Sequence, residues 1–346
     1  MRALLSLILL CFLSASLRAE TGEQHAQAAA RGLLGQPAPP LVLKTIDGQT
    51  IDLASLYGRK AVYLEFWATW CVPCRQQMPH LKQVYAQAGQ DLAVIAVNVG
   101  FDDSVAAVRE YRRALGLDSR MPIVFDADGA AGTAFHLRVT PQHVVIGRDG
   151  RILFLGHEAN AKLDAALRSA RAEPPAPMVM ARAVAGHAVE RPLAAGDRVP
   201  ALTVSTLDGV PFPLRAPDGR PTVLVFLSPW CETYLAERRV GSRPALAASC
   251  RAAREQMAAL SHDVRVRWLG VASNLWTGRD DLRAWQRKYQ VAVPLALDGS
   301  GRLFRLFRVM HVPTVLVLDA QGRIVRRVEG VDPRLGAELE TLGRVE

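Results

Sequence analysis

A pair of cysteines follows directly on an apolar stretch of this 346-residue chain. The run Ala61–Trp67 predicts a buried strand, and the residues from Val72 to about Ala88 predict a helix. Cys71 therefore stands where a strand leads into a helix, and the free N–H groups and the helix dipole there favour its thiolate. The pattern predicts a dithiol redox site in which Cys71 attacks a disulfide and Cys74, one helical turn on, resolves the mixed disulfide.

Other interpretations of this Cys-x-x-Cys pair fit the sequence less well. A structural zinc site would need two more Cys or His ligands, and the sequence has no second Cys-x-x-Cys and no His-x-x-x-His pattern. A purely structural disulfide remains open, although the strand, the tryptophan and the helix favour redox chemistry. Peroxidase chemistry of the peroxiredoxin type is disfavoured, because Ala68 stands where a threonine is expected.

Together with Val139-Thr140-Pro141 downstream, the cysteine motif resembles the TlpA/ResA branch of the thioredoxin-like superfamily, whose members are extracytoplasmic thiol-disulfide oxidoreductases. The supporting residues, spread over positions 35 to 170, are Gly35-Gln36-Pro37-Ala38-Pro39, Asp47-Gly48, Ala96-Val97-Asn98-Val99-Gly100 and Arg148-Asp149-Gly150-Arg151. Taken together, these segments are much more specific than two spaced cysteines alone.

The resemblance implies the substrate-binding residues around the dithiol. In the family, a cis-proline faces the dithiol and the backbone before it pairs with the partner peptide, a role that falls on Thr140 and Pro141. Trp70 and Pro73, on either side of Cys71, belong to the same predicted surface. The prediction includes no cofactor and no metal.

A buried acid is the candidate for proton transfer. Many members of that branch carry a glutamate three residues after the second cysteine, where this chain has Gln77, which cannot take a proton. Glu65 aligns instead with the acid that thioredoxin buries six residues before its first cysteine. An acid within an apolar strand is costly to bury and tends to have a raised pKa. We expect Glu65 to accept or relay the proton of Cys74; the alternative is that it reaches solvent at a strand edge.

An internal repeat predicts two domains. Asp47-Gly48 recurs as Asp208-Gly209, Trp70-Cys71 recurs as Trp230-Cys231, and Pro141 matches Pro313. The predicted fold is α/β, with two tandem thioredoxin-like domains, each a central mixed sheet flanked by helices. The expected boundaries are a signal peptide over residues 1–19, a redox-active domain over 35–171, a linker over 172–195 and a degenerate domain over 196–346.

The second copy has lost the dithiol chemistry. Tyr234 stands where the second cysteine belongs, and Val225 stands at the position of Glu65. Cys250 lies 19 residues after Cys231 and would form a disulfide with it if the extra segment between them folds back, whereas a straight helix would hold them about 28 Å apart. Such a bond is structural by default; a role as substrate or relay for the first dithiol is the alternative.

Copper binding is a second possibility for this domain. Cys231, Met310 and His311 are soft ligands that would suit Cu(I) if they met before Pro313, but they have no fixed ligand spacing. Met310 and His311 are more simply interpreted as a core side chain and an exposed loop residue. Elsewhere, His80, His136 and His143 lack ligand spacing and are most simply interpreted as helix, loop or strand positions.

The first residues predict export. Arg2, an apolar run from Ala3 to about Leu13 and the small residues that follow are typical of a secretory signal peptide, with an uncleaved anchor as the alternative. No other segment is long and apolar enough to span a bilayer, so a periplasmic location is expected. The formal charge of +9 comes from scattered basic residues, mostly arginine, and a nucleic-acid partner is not expected.

The sequence therefore predicts a periplasmic thiol-disulfide oxidoreductase that exchanges its dithiol with disulfides of client proteins. The family resemblance implies a reductant supplied by a membrane electron donor. The alternative is a binding or chaperone module, centred on the second domain, that holds a partner protein or Cu(I).

Overall fold

The computed structural model describes residues 20–172, 174, 191–237 and 243–343. The predicted signal peptide and most of the predicted linker lie outside these described residues. Two five-stranded mixed sheets, each flanked by helices, form the described part of the chain, and the predicted fold class is confirmed. We refer to residues 20–172 as domain one and to residues 191–343 as domain two.

Domain one is built around one fully buried strand. Its strands are β1 (Val42–Lys44), β2 (Thr50–Asp52), β3 (Ala61–Trp67), β4 (Leu92–Asn98), β5 (Ile123–Phe125), β6 (Gln142–Ile146) and β7 (Ile152–Gly156). Its helices are α1 (Gly22–Ala30), α2 (Val72–Ala86), α3 (Val105–Ala114), α4 (Ala130–Ala134) and α5 (Ala161–Ala172). The main sheet has the order β5-β4-β3-β6-β7, with β3 parallel to β4 and antiparallel to β6. Every residue of β3 is buried, because helices cover both faces of the sheet at its centre.

The helix that carries the cysteines begins at the end of this strand. Cys71 is the N-cap of α2, and Pro73 lies in its first turn, where a missing N–H costs nothing. The helix ends at Ala86, close to the predicted end. A short turn thus places both cysteines at the carboxyl edge of β3.

One helix precedes the predicted start of domain one at residue 35. Helix α1 is capped by Thr21, packs against β7 and buries His25 and three alanines. The folded part of the chain therefore includes residues that the sequence analysis left unassigned.

Domain two repeats this architecture. Its strands are β8 (Thr203–Ser205), β9 (Pro211–Pro213), β10 (Thr222–Leu227), β11 (Arg267–Ser273), β12 (Leu295–Asp298), β13 (Thr314–Leu318) and β14 (Ile324–Glu329). Its helices are α6 (Cys231–Tyr234), α7 (Pro244–Leu260), α8 (Arg279–Lys288), α9 (Arg302–Leu306) and α10 (Leu335–Leu342). The sheet order β12-β11-β10-β13-β14 matches that of domain one. Where domain one has the single helix α2, domain two has α6 and α7, and Pro244 begins the second of them.

The two domains pack face to face through equivalent loops. The backbone N–H of Asp102 donates to Met310 O at 2.8 Å, and the backbone N–H of Trp276 donates to Arg138 O at 2.7 Å. Asp102 and Trp276 both have positive φ, at 50° and 54°. Since Arg138 and Met310 each lie three residues before a cis-proline, the contacts repeat with near-twofold symmetry.

The hydrophobic core continues from one domain into the other. Phe101 of domain one lies 6.1 Å, between ring centroids, from Phe304 of domain two, which in turn lies 5.1 Å from Phe226. A separate cluster, which includes Leu282, fills the far side of domain two. In the part of the chain that the structure describes, no helix is long and apolar enough to cross a membrane.

We predict that Phe304→Ala destabilises both domains, by about 3 to 5 kcal/mol, because the lost ring leaves a cavity in the shared core. Hydrogen exchange measured by mass spectrometry should become faster in β10 and also in β3. Leu282→Ala, in the separate cluster, is the control and should affect domain two alone. Unchanged exchange in β3 of the Phe304 variant would contradict a shared core.

Candidate redox site

The structure joins Cys71 and Cys74 in a disulfide, with their Cα atoms 5.3 Å apart. The backbone N–H of Cys74 donates to Cys71 Sγ at 3.1 Å, and the same sulfur lies 3.3 Å from the carbonyl oxygen of Thr140. The bond between Thr140 and Pro141 is cis. The site thus brings together the two cysteines, Thr140 and Pro141 at the start of α2.

A buried carboxylate holds the loop before Cys71. Asp103 accepts hydrogen bonds from Thr69 N, Thr69 Oγ1 and Asn98 Nδ2, all at 2.8 to 2.9 Å. The indole N–H of Trp70 donates to Phe101 O at 2.9 Å. These contacts anchor the loop to the end of β4, so the position of Cys71 is set by the sheet. Sequence analysis did not identify Asp103.

Glu65 is completely buried in β3, two strand positions from Tyr63 on the same face. Desolvation by burial raises the pKa of Glu65 to about 8. Its Oε1 atom has no hydrogen-bond partner among the described residues. Glu65 therefore does not reach solvent at a strand edge, and it keeps its proton at neutral pH.

A polar chain leads from Glu65 to helix α2. The Tyr63 hydroxyl lies 3.3 Å from Glu65 Oε2 and 2.9 Å from His143 Nδ1, and His143 Nε2 lies 2.9 Å from Gln77 Oε1. Desolvation by burial lowers the pKa of His143 to about 3, so the ring is neutral. With Gln77 Oε1 as acceptor, Nε2 of His143 carries the ring proton and Nδ1 accepts from Tyr63. Tyr63 has one hydroxyl proton, which it donates to His143. The hydrogen bond between Glu65 and Tyr63 is then donated by the protonated carboxyl group of Glu65.

The chain continues to the cis-proline. Gln77 is oriented by Ala159 N–H, which donates to its Oε1 at 2.6 Å, and by its own amide group, which donates to His157 O at 3.3 Å. The ring of His157 donates from Nδ1 to Pro141 O at 2.8 Å. Hydrogen bonds therefore connect the buried acid, the helix of the cysteines and the proline loop.

Three members of this chain were not identified from sequence. Tyr63, His143 and His157 lack motif spacing, and His143 had been interpreted as an ordinary strand position. A weak signal existed, because Tyr63 and Glu65 alternate along one strand and share a face. The antiparallel pairing of Glu65 with His143 depends on the sheet and is not visible in the sequence.

Domain two has valines at the positions of the first three side chains of this hydrogen-bonded network. The residues equivalent to Tyr63, Glu65 and His143 are Val223, Val225 and Val315, and all three are buried. The second domain therefore has no titratable side chain at these three positions.

Cys231 of domain two forms a disulfide with Cys250, with the two Cα atoms 6.2 Å apart. This bond occupies the only thiol among the candidate copper ligands Cys231, Met310 and His311. His311 Nδ1 lies 3.2 Å from Asp102 Oδ1, in an ion pair with domain one. The three side chains thus do not assemble as a ligand set.

Domain two covers the redox site. Trp276 pairs with the backbone of Arg138, and its indole N–H donates to Thr140 Oγ1 at 3.3 Å. The Trp70 ring stacks on Trp230, with centroids 5.0 Å apart. Only 2% of Cys71 is exposed in this arrangement of the two domains.

Comparison with known proteins agrees with this geometry. Residues 34–154 match the family model described as AhpC/TSA family, and residues 194–343 match the model described as Redoxin. The thiol-disulfide oxidoreductase ResA of Bacillus subtilis (strain 168) is 33% identical over 120 residues, which are 34% of this chain and 64% of that protein. The thioredoxin-like protein YneN of the same strain is 42% identical over 96 residues, 28% of this chain and 55% of that protein.

Solved structures that resemble the chain cover one domain each. A putative thiol:disulfide interchange protein DsbE from Chlorobium tepidum is 26% identical, with a TM-score of 0.35, over 40% of this chain and 97% of that chain. A putative thioredoxin from Neisseria meningitidis is 32% identical, with a TM-score of 0.35, over 38% of this chain and 88% of that chain. From the two family models and the ResA relatives, the chain belongs to the thioredoxin-like superfamily, as a ResA-type member with a second thioredoxin-like domain.

Proposed function

We propose that this protein is a periplasmic thiol-disulfide oxidoreductase that reduces disulfides in client proteins with the Cys71/Cys74 dithiol. The observation that supports this best is the position of Cys71 Sγ. The sulfur accepts the Cys74 N–H at the start of α2 and lies 3.3 Å from Thr140 O, beside the backbone that pairs with client peptides in the family.

The reaction follows from the position of the two sulfurs. The Cys71 thiolate attacks one sulfur of the client disulfide, and the other client sulfur leaves as a thiolate. The Cys74 thiolate then attacks Cys71 Sγ, which releases the second client sulfur and restores the Cys71–Cys74 bond. Two electrons pass to the client, so each cycle needs a dithiol donor to reduce the protein again, and we propose a membrane protein as that donor.

Glu65 is proposed to take the proton that Cys74 gives up before its attack. The pKa of about 8 means that about a tenth of Glu65 is ionised at pH 7, a supply of base that rises with pH. The chain through Tyr63, His143 and Gln77 holds the carboxyl group in place beneath the site. Trp70 and Pro73, which flank Cys71, are proposed to form part of the client surface.

The proposed location rests on the predicted signal peptide, on the similarity to ResA and on two disulfides within the described residues, since such bonds persist in oxidising compartments. We retain the proposed boundaries at 35–171 and 196–346 for the two domains and add α1 to the first. The second candidate function, a binding module in domain two, is supported by its contacts over the redox site, and its partner is then domain one of the same chain.

We predict that Cys71→Ser abolishes reduction of insulin disulfides, because a hydroxyl group forms no thiolate at neutral pH. Cys74→Ser should still attack once and then accumulate as a mixed disulfide, which mass spectrometry detects. The double variant Cys231→Ser, Cys250→Ser is the control and should retain turnover. Full activity of the Cys71 variant would refute the proposed site.

We predict that Glu65→Gln stabilises the protein at alkaline pH. Between pH 4.5 and about pH 8 the unfolded chain releases the Glu65 proton while the folded protein keeps it, so the wild type loses stability as pH rises through this range. The variant should gain about 3 to 5 kcal/mol over wild type above pH 8 and almost nothing near pH 4. Urea unfolding at both pH values measures this difference.

The exposed Glu110→Gln on α3 is the matched control and should follow the wild type at both pH values. Kinetics distinguish a role of Glu65 in proton transfer from its effect on stability. The rate at which Cys74 resolves a trapped mixed disulfide is measured as a function of pH, and Glu65→Gln should remove the increase of this rate with pH. An unchanged pH profile would exclude Glu65 from that step.

A further inference from the structure

The cover over Cys71 depends on one short helix. Helix α6 spans four residues, and the residues at its two ends contact domain one: Trp230 stacks on Trp70, and the Tyr234 hydroxyl accepts the backbone N–H of Val72 at 3.0 Å. Trp70 and Val72 are the neighbours of Cys71 on either side. The position of α6 therefore decides whether the attacking sulfur is covered.

A four-residue helix has too few internal hydrogen bonds to hold its own position. The Cys231–Cys250 disulfide ties α6 to the middle of α7, a helix of 17 residues. Glu232 adds an ion pair with Arg254 of α7, with N–O distances of 2.8 and 3.1 Å. Among the described residues, the disulfide is the one covalent cross-link between side chains of α6 and α7.

Helix α7 is itself fixed to domain one. Arg243, which directly precedes the helix, donates to the backbone carbonyl of Asp102, donates to Thr69 Oγ1 at 2.8 Å and lies 3.5 Å from an oxygen of Asp103. Breaking the disulfide would thus leave α7 in contact with domain one but remove the covalent restraint on α6.

The Cys231–Cys250 disulfide occupies the same position relative to the cis-proline of domain two as the Cys71–Cys74 disulfide does in domain one. Cys250 Sγ lies 3.8 Å from Val312 O, the carbonyl just before cis-Pro313, as Cys71 Sγ lies 3.3 Å from Thr140 O. Cys231 is fully buried, whereas Cys250 is 9% exposed and lines a small cavity together with Pro313 and Glu232. Both cysteines are buried, and Cys250 is the more accessible of the two.

We propose that the Cys231–Cys250 disulfide is a second redox centre, and that its reduction releases α6 and uncovers Cys71. A dithiol is the reductant: one of its thiolates attacks Cys250 Sγ, and Cys231 leaves as a thiolate. The second thiolate attacks the mixed disulfide and releases Cys250. The dithiol loses two electrons and becomes a disulfide, and its two protons end on Cys231 and Cys250.

The inference rests on the proposed role of Cys71 as the attacking thiol. It gives domain two a function that needs no proton relay of its own, in agreement with the valines at the positions of Tyr63, Glu65 and His143. The test below follows alkylation of Cys71 and requires no client protein. The proposal for the second disulfide can therefore fail while the proposed exchange with client proteins stands, and the exchange can fail while the second disulfide still controls access to Cys71.

The proposal is tested in the full chain with Cys11→Ser and Cys74→Ser, which leaves Cys71 as the free thiol and Cys231–Cys250 oxidised. The rate of Cys71 alkylation by iodoacetamide is compared with that of the triple variant Cys74→Ser, Cys231→Ser, Cys250→Ser in the same Cys11→Ser background. We expect at least a tenfold faster reaction in the triple variant, and a similar rise for Trp230→Ala added to Cys74→Ser. Equal rates with and without the disulfide would overturn the proposal.

Leu282→Ala added to Cys74→Ser is the control for general destabilisation, because this buried residue belongs to the separate cluster of domain two. Its alkylation rate should stay near that of Cys74→Ser. A rise as large as in the triple variant would show that any weakening of domain two uncovers Cys71, and the disulfide would lose its special role.

Reducibility is tested without replacing Cys231 or Cys250. In the Cys71→Ser, Cys74→Ser variant, dithiothreitol should reduce the bond under native conditions, as measured by maleimide mass-tagging of the two released thiols while circular dichroism stays unchanged. Reduction that requires denaturant would identify a purely structural bond and overturn the proposal.

Discussion

The stacking of Trp70 on Trp230 joins the two domains at the faces that carry their cysteines, and the accessibility of the redox site depends on this contact. Each tryptophan directly precedes a cysteine, and each indole N–H is held by a backbone carbonyl of its own domain, Phe101 O or Leu275 O. The rings are thus rigidly placed before they meet. Both rings pack in a continuous hydrophobic core, so separating the domains exposes apolar surface to water, which is unfavourable. The arrangement that covers Cys71 is therefore the favoured one.

The second constraint is a buried acid beneath the dithiol. Among the described residues, the basic side chain nearest to the Glu65 carboxyl group is the neutral His143, so burial keeps the proton on Glu65 near neutral pH. His143, equally buried, stays neutral for the same reason. Both domains share one backbone plan, but only domain one buries titratable side chains in its two central strands, Tyr63, Glu65 and His143, and only domain one has the paired cysteines on one helix. This difference supports the proposed division of the chain into a part that performs exchange and a part that controls access to it.

Local features of domain one were predictable from the sequence because they depend on local chemistry. The strand Ala61–Trp67 was predicted with its bounds, since a short run rich in aromatic and aliphatic residues favours a buried strand. The helix from Val72 follows from Pro73 and the cysteine cap. The two-domain fold followed from the repeat. The contacts of His143 and Trp276 could not be predicted, because they depend on strand register and on the packing of two domains that are distant in sequence.

The reduction potential of the Cys71/Cys74 pair tests most directly whether this chain is a reductant. It would be measured in the full-length protein with Cys231 and Cys250 replaced by serine, against dithiothreitol buffers of known ratio. The account predicts a value near that of thioredoxin, about −270 mV, at which the dithiol gives electrons to client disulfides. A value near about −120 mV, that of a strong oxidant, would contradict the account and assign the protein to disulfide formation.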